Sequence, residues 1–260
     1  MKTLTEFINP GIKVLFSDID DTMTTEGKLE AKAYSALWKL ADNHIRVVPV
    51  TGRPAGWCEM IARFWPVDGI IGENGALYFR YLEQEKKMLR HFAVDESTRK
   101  ENSKKLELIK QEVLQCVPGA AIASDQFTRL FDLAVDFCED VPPLSERDIQ
   151  QIVNVFTRHG AEAKVSSIHV NGWFGQYDKL TACKEYCRNE YGWELEENLH
   201  QVAFVGDSPN DEPMFGFFEN AFAVANIHTF ISQLKYPPKY VTPSPGGEGF
   251  AELVTRLLFK

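Results

Sequence analysis

Ile12-Lys13-Val14-Leu15-Phe16-Ser17-Asp18-Ile19-Asp20-Asp21-Thr22 runs from an apolar stretch straight into three carboxylates within four positions. Apart from Lys13, residues 12–16 are apolar, the pattern of a strand buried on both faces of a parallel sheet. Alternate residues of an extended chain share a side, so the pattern places Asp18 and Asp20 together and turns Asp21 elsewhere. Two like charges held that close need a positive partner to stay ionised. Mg2+, which takes one or two carboxylates together with water and phosphate oxygens, suits them. The stretch predicts a metal-assisted phosphoryl site at the mouth of a buried strand.

The next segments give that strand its neighbours. Leu29, Ala33, Ala36, Leu37 and Leu40 recur at helical spacing and predict a helix over 27–43. A second strand follows over 45–50 and ends at Thr51-Gly52-Arg53-Pro54. Strand, helix, strand implies a right-handed parallel crossover. Thr51 then arrives beside Asp18 and Asp20, on the carboxyl edge where open α/β sheets bind ligands. A hydroxyl followed by glycine suits a phosphate oxygen, although Thr-Gly alone is a weak signal. Beyond it the pattern gives a helix over 57–65, a short strand and turn over 69–76 with Asn74-Gly75 at positive φ, and a hairpin over 77–92.

From about Val94 the texture changes. A charged amphipathic helix over 96–117 closes at Pro118-Gly119, and strand-like segments follow at 120–124 and 129–137. The order then repeats with a helix over 145–159 and strands at 161–166 and 168–174. Helix, strand, strand twice over describes a small α+β layer. The α/β texture resumes with a helix over 180–191 and the apolar strand Gln201–Val205, which runs into Gly206-Asp207-Ser208-Pro209-Asn210-Asp211. A strand at 221–224, an extended segment at 241–243 and a final helix over 250–258 complete the chain. The fold class is therefore α/β: a Rossmann-like parallel-sheet core from residues 1–92 and 175–260, with 93–174 inserted as an α+β domain. Asp207 and Asp211 bring a second acidic cluster to the edge of the first. Helix capping would explain either acid alone, but not why two buried strands both end in acids.

Composition narrows the partners. With 260 residues, 44% apolar and 12% aromatic, the chain is ordinary for a packed globular protein. A net charge of −9 argues against a nucleic-acid partner, which would draw its affinity from clustered Lys and Arg. A small anionic substrate remains compatible, since a metal and one lysine reverse the sign of a local field. Residues 1–11 lack a signal-peptide core and nothing approaches the roughly 20 apolar residues of a membrane helix, so the expectation is a cytoplasmic protein with no membrane partner. Cys58, Cys116, Cys138, Cys183 and Cys187 form no C-x-x-C and read as small buried thiols rather than a disulfide framework or zinc site.

Taken together, the motifs resemble those of the haloacid dehalogenase superfamily of phosphohydrolases over nearly the whole chain. Asp18-Ile19-Asp20-Asp21-Thr22 is similar to that family's first motif, Thr51-Gly52-Arg53 to its second, Lys179 to its basic third and Gly206-Asp207-Ser208-Pro209-Asn210-Asp211 to its acidic fourth. The inserted domain resembles the α/β cap of the type IIB subgroup, which includes Cof-type, sucrose-phosphate, trehalose-phosphate and mannosyl-phosphoglycerate phosphatases and phosphomannomutase. The resemblance implies Asp18 as nucleophile, Asp20 as general acid and base, and Thr51 and Lys179 as holders of the phosphoryl oxygens. It further implies Mg2+ on Asp18, Asp20 through its backbone carbonyl, and Asp207, with Asp211 in support. Two departures stand out: Asp21 replaces a frequent glycine, and Asp178 precedes Lys179, where it could turn the ammonium away.

Selectivity would come from the cap, since the core recognises only a phosphoryl group. Candidates for substrate binding are Arg129, His169 and Asn171 on cap strands, and Gly52, Arg53, Asn74 and Asn210 at the core edge. Glu73 beside Asn74 is a further option, while Trp173 reads more simply as packing. The expected activity is Mg2+-dependent hydrolysis of a small phosphorylated metabolite, a sugar phosphate above all. A phosphosugar mutase and a catalytically silent metabolite-binding protein are the alternatives. Monomer and dimer are equally compatible with the sequence.

Overall fold

A computed structural model describes residues 1–259. Its strands are β1 (Lys2–Thr3), β2 (Val14–Ser17), β3 (Arg46–Pro49), β4 (Ile70–Gly72), β5 (Leu77–Leu82), β6 (Lys87–Phe92), β7 (Ala121–Ile122), β8 (Asp132–Asp136), β9 (Glu162–Val165), β10 (His169–Trp173), β11 (Val202–Gly206), β12 (Asn220–Ala223) and β13 (Tyr240–Val241). Its helices are α1 (Ala31–Asp42), α2 (Ala55–Phe64), α3 (Glu96–Cys116), α4 (Glu146–Arg158), α5 (Lys179–Tyr186), α6 (Glu212–Phe217) and α7 (Gly246–Leu258).

The central sheet runs β1-β13-β12-β11-β2-β3, every pair parallel. The two strands that end in acids are neighbours, with Phe204 opposite Phe16 and Val205 opposite Ser17. Burial on both faces explains their unbroken apolar runs. Leu15, Val47, Ala203 and Val205 pack on one side with Leu37, Leu40, Phe250 and Leu253 of α1 and α7. Phe16, Val48 and Phe204 point the other way, onto Cys183, Tyr186, Met214 and Phe215 of α5 and α6. On α1 the buried positions Ala33, Ala36, Leu37 and Leu40 form one helical stripe. A parallel bridge from Val50 to Ile71 extends the sheet edge into the antiparallel β4-β5-β6.

Residues 121–173 hold a separate antiparallel sheet, β7-β8-β10-β9, backed by α3 and α4. Leu133, Val135 and Val170 meet Ile109, Ile152 and Phe156 on the helix side. The alternate residues Asp132 and Asp136 of β8, with His169, Asn171 and Trp173 of β10, form the other face, and all five are buried. Side-chain caps start both helices, Asp95 accepting from Thr98 N at 2.9 Å and Ser145 from Asp148 N at 3.3 Å, each worth about 1 kcal/mol.

The differences from the sequence reading are local. Helix α1 starts at Ala31 because Thr25 and Lys28 form a bridge instead. Helix α7 begins at Gly246, ahead of the apolar periodicity, because its first turn contains three glycines that carry no hydrophobic signal. The segment 129–131 leads irregularly into β8, so Arg129 lies at the end of a turn rather than on a strand. Helix α5 stops at Tyr186 and passes into a π-helical turn, Cys187–Tyr191, closed by Gly192 at φ 71°. Cys58, Cys183 and Cys187 are buried free thiols, whereas Cys116 is exposed and Cys138 half-buried. No helix among the described residues is long and apolar enough to cross a membrane.

Candidate active site

Asp18 is the first residue past β2, and its N–H donates to Val205 O of β11 at 2.9 Å. That bond is the last of the ladder, and β2 ends at Ser17, contrary to the extended reading of 18–21. Thr22, Met23 and Thr24 all donate their N–H groups to Ile19 O, and Asp21 sits at φ 57°. This tight turn, not a pleat, sets where Asp18 and Asp20 point. Both line one small cavity beneath the β8–β10 sheet.

Lys179 opens α5 and places its Nζ 2.7 Å from Asp18 Oδ1 and 2.8 Å from Asp211 Oδ1. Asp178 does not draw it away: that carboxylate caps α5 by accepting from Thr181 N at 2.7 Å. The turn Glu73–Gly75 packs against this helix start. Gly75 has φ 104°, and a Cβ there would stand 2.2 Å from Asp178 O. Asp207 follows β11, accepts from Thr22 Oγ1 at 3.2 Å and donates its N–H to Asp211 Oδ2 at 3.1 Å. A side chain at Gly206 would meet Asp211 Oδ2 at 2.2 Å, so only glycine permits that approach.

Asp18, Asp207 and Asp211 each offer a carboxylate oxygen within 4.8 Å of the others, all buried, and Lys179 is the cation bonded to the cluster. With all three ionised the cluster carries two negative charges in excess of neutral. Burial pushes Asp18 up to about 8 despite Lys179, and burial with the charges of Asp18 and Asp211 pushes Asp207 well above the carboxylate range. A hard divalent cation fits this set of oxygen donors and corrects the balance. The Asp20 side chain does not join the cluster. It accepts from Arg53 Nε at 3.0 Å and from Arg53 Nη2 at 2.8 Å.

Thr51 is buried, and its Oγ1 accepts from Arg53 N at 3.0 Å, which leaves the hydroxyl hydrogen free to donate. Arg53 lies over the Trp57 ring at 4.5 Å, and its Nη2 also reaches Glu139 Oε1 at 2.9 Å. The other Glu139 oxygen lies 2.9 Å from His169 Nε2. Glu139, on which sequence reasoning was silent, thus links two expected substrate-binding residues, and His169 and Arg53 hold its carboxyl down at about 2. The backbone N–H groups of Cys138, Glu139 and Asp140 all converge on the Asp136 carboxylate, which fixes that turn.

The remaining expected residues divide into two groups. Arg129 donates to Gly52 O at 2.8 Å, Asp132 Oδ1 at 3.0 Å and Asp125 Oδ1 at 3.1 Å, so its guanidinium ties the inserted sheet to the Thr51–Gly52 turn. Glu73 does similar work, accepting from the N–H groups of Ala55, Leu130, Phe131 and Asp132. Asn171 donates to Asp132 Oδ2 at 2.9 Å and Asn210 accepts from Ser208 Oγ at 2.9 Å, and both line the cavity beside Asp18. Asn74, at φ 55°, lies beside Gly52 with its Nδ2 unpartnered. The cavity at the acids measures about 20 Å³. Larger hollows of about 510 and 620 Å³ are lined by residues such as Arg46 and Arg256, and none of the three clustered acids reaches either.

A family model for haloacid dehalogenase-like hydrolases matches residues 15–127. Phosphoglycolate phosphatase of Pyrobaculum aerophilum is 30% identical over 251 residues, which cover 95% of this chain and 96% of that one. Among solved structures, a Thermoplasma acidophilum protein superposes with a TM-score of 0.71 at 16% identity, covering 95% of this chain and 98% of its own. A haloacid dehalogenase subclass IIB sugar phosphatase gives a TM-score of 0.63, also at 16% identity, with 94% and 98% covered. At that identity the two structures speak for the fold.

Proposed function

The chain belongs to the haloacid dehalogenase-like hydrolases, and on that premise we propose that it is a type IIB, Mg2+-dependent phosphomonoesterase acting through an aspartyl-phosphate on a small phosphorylated metabolite. One observation carries the reading: two adjacent buried strands and the start of α5 bring three carboxylates and one lysine together, with the carboxylates in excess.

In this reading Lys179 holds Oδ1 of Asp18, and Oδ2 attacks phosphorus in line with the ester oxygen. The P–O bond to the leaving group breaks, and Asp20 gives that oxygen its proton. Thr51 and Lys179 donate to the phosphoryl oxygens as charge develops on them. Asp20, oriented by Arg53, then takes a proton from water as the water attacks the aspartyl-phosphate, which frees inorganic phosphate and regenerates Asp18. Asp18 and Asp207 would hold Mg2+, with Asp211 fixing the loop and the lysine. Bound there, the ion would offset the phosphoryl charge and help align the ester. Residues 93–174 would act as the cap: Arg53–Glu139, Arg129–Gly52 and the Glu73 contacts tie them over the site. Closure would exclude bulk water and supply selectivity.

Sugar phosphates, the class expected from sequence, and phosphoglycolate, from the name of the Pyrobaculum relative, are the first substrates to test. The experiment measures phosphate release from a panel containing both, with Mg2+ and with chelator, alongside Asp18→Asn. Metal-dependent release that the variant abolishes is the expected result. Substantial release by Asp18→Asn would refute the nucleophile, and an isomerised ester with little free phosphate would reassign the chain to mutase chemistry.

A further inference from the structure

A second cavity of about 50 Å³ lies next to the phosphoryl site, with Asn210 in the walls of both and Lys179 at its base. The β9–β10 side contributes Lys164 and Trp173, and Asn74 faces them from the core edge. Lys164 stands opposite Asn171 in the β9–β10 register, and Trp173 is two residues further along β10, so all three share the sheet face turned to the core.

Beside the apolar Leu180, Pro213 and Met214, the polar groups of this cavity are one-sided. Trp173 Nε1 and Asn74 Nδ2 are buried donors without a partner, on residues 2% and 5% exposed. Lys164 is exposed at the mouth and enters no ion pair among the described residues. The one carboxylate in the wall, Asp178, is engaged in capping α5. A buried donor left unpaired forfeits its hydration with nothing in return, so an acceptor belongs there. The other cations near the site are already matched: Arg53 by Asp20 and Glu139, Lys179 by Asp18 and Asp211.

We infer that this cavity is the leaving-group subsite and that it takes a carboxylate, held by the Lys164 ammonium, the Trp173 N–H and the Asn74 amide. The inference rests on the phosphatase reading and adds a substrate class to it: short phosphomonoesters that carry a carboxylate. At about 50 Å³ the cavity has room for a group the size of a carboxylate. Asn210 borders both cavities, so a single short ester reaches from one into the other.

The test compares 2-phosphoglycolate with ethyl phosphate, two-carbon esters that differ by the carboxylate. In the unsubstituted enzyme kcat/KM favours the carboxylated ester by roughly tenfold or more. That ratio collapses several-fold in Lys164→Ala, an exposed position whose loss leaves the fold intact, and in Trp173→Phe, which keeps a ring and removes the N–H. The same esters are titrated calorimetrically into Asp18→Asn, with and without Lys164→Ala. Tighter binding of 2-phosphoglycolate that depends on Lys164 supports the subsite even where turnover fails. Release from both esters at equal kcat/KM, or a ratio unmoved in both variants, overturns the subsite and leaves the phosphatase reading standing. Equal affinities with no release from either ester overturn both.

Discussion

Glu139→Gln tests whether the inserted sheet is held on the core by charge. The carboxylate touches Arg53 Nη2 and His169 Nε2 at 2.9 Å each, and they hold it down from 4.5 to about 2. At about 1.36 kcal/mol per pH unit that difference is about 3.4 kcal/mol. The side chain is 29% exposed, so water screens the pair and about half of it, roughly 1.5–2 kcal/mol, reaches stability. Gln keeps the shape, and Arg53 keeps Asp20, so no buried charge is orphaned. The folded-state value is depressed, so the stabilisation is fully present above 4.5 and fades as pH falls toward 2. Urea unfolding at pH 7 therefore puts the variant roughly 1.5–2 kcal/mol below wild type, and at pH 3.5 the gap is about two fifths smaller. Where residues 93–174 close over the site as proposed, the same free energy opens them roughly 10- to 30-fold more often and raises KM. A gap under about 0.3 kcal/mol at pH 7, or one that widens on acidification, refutes the reasoning.

Asp207→Asn removes one of three crowded carboxylates, so the chelator-treated variant melts no lower than chelator-treated wild type, by differential scanning calorimetry. Mg2+ at about 100 times its Kd raises the wild-type Tm by roughly 5–10 °C, and the variant loses that rise; an equal rise in both would remove Asp207 from the metal set. Gly75→Ala forces a Cβ to 2.2 Å from Asp178 O at φ 104°, which costs at least about 1–3 kcal/mol and shifts the helix that presents Lys179. Its kcat falls together with its Tm, and wild-type kcat at a lowered Tm would show that the turn does not position the lysine.

The parts legible in the sequence are those that leave a signal over short range. Val14–Asp18 and Val202–Asp207 could be read because a strand buried on both faces must be apolar, and acids directly after such a run have no packing explanation. Lys179 gave no such signal. Its place beside Asp18, 161 residues earlier, follows from α5 docking on the sheet and came from family resemblance alone. Arg129 and Glu73 show the converse: a guanidinium and a carboxylate at the site edge read as substrate ligands until their partners are known, and those partners, Gly52 and the 130–132 backbone, lie 57 to 77 residues away. Glu139 was invisible for the same reason, since its meaning depends on Arg53, 86 residues before it, and on a sheet face that periodicity cannot dock. Periodicity reports which face an element buries, whereas the inserted sheet's seat on the core is set by pairs of single charged groups far apart in the chain. The donors at Lys164, Trp173 and Asn74 belong to that second kind. Each has an ordinary local role, as a strand-surface lysine, a packed indole and a turn amide, and they become a site only when the seat of the inserted sheet on the core brings them to one cavity.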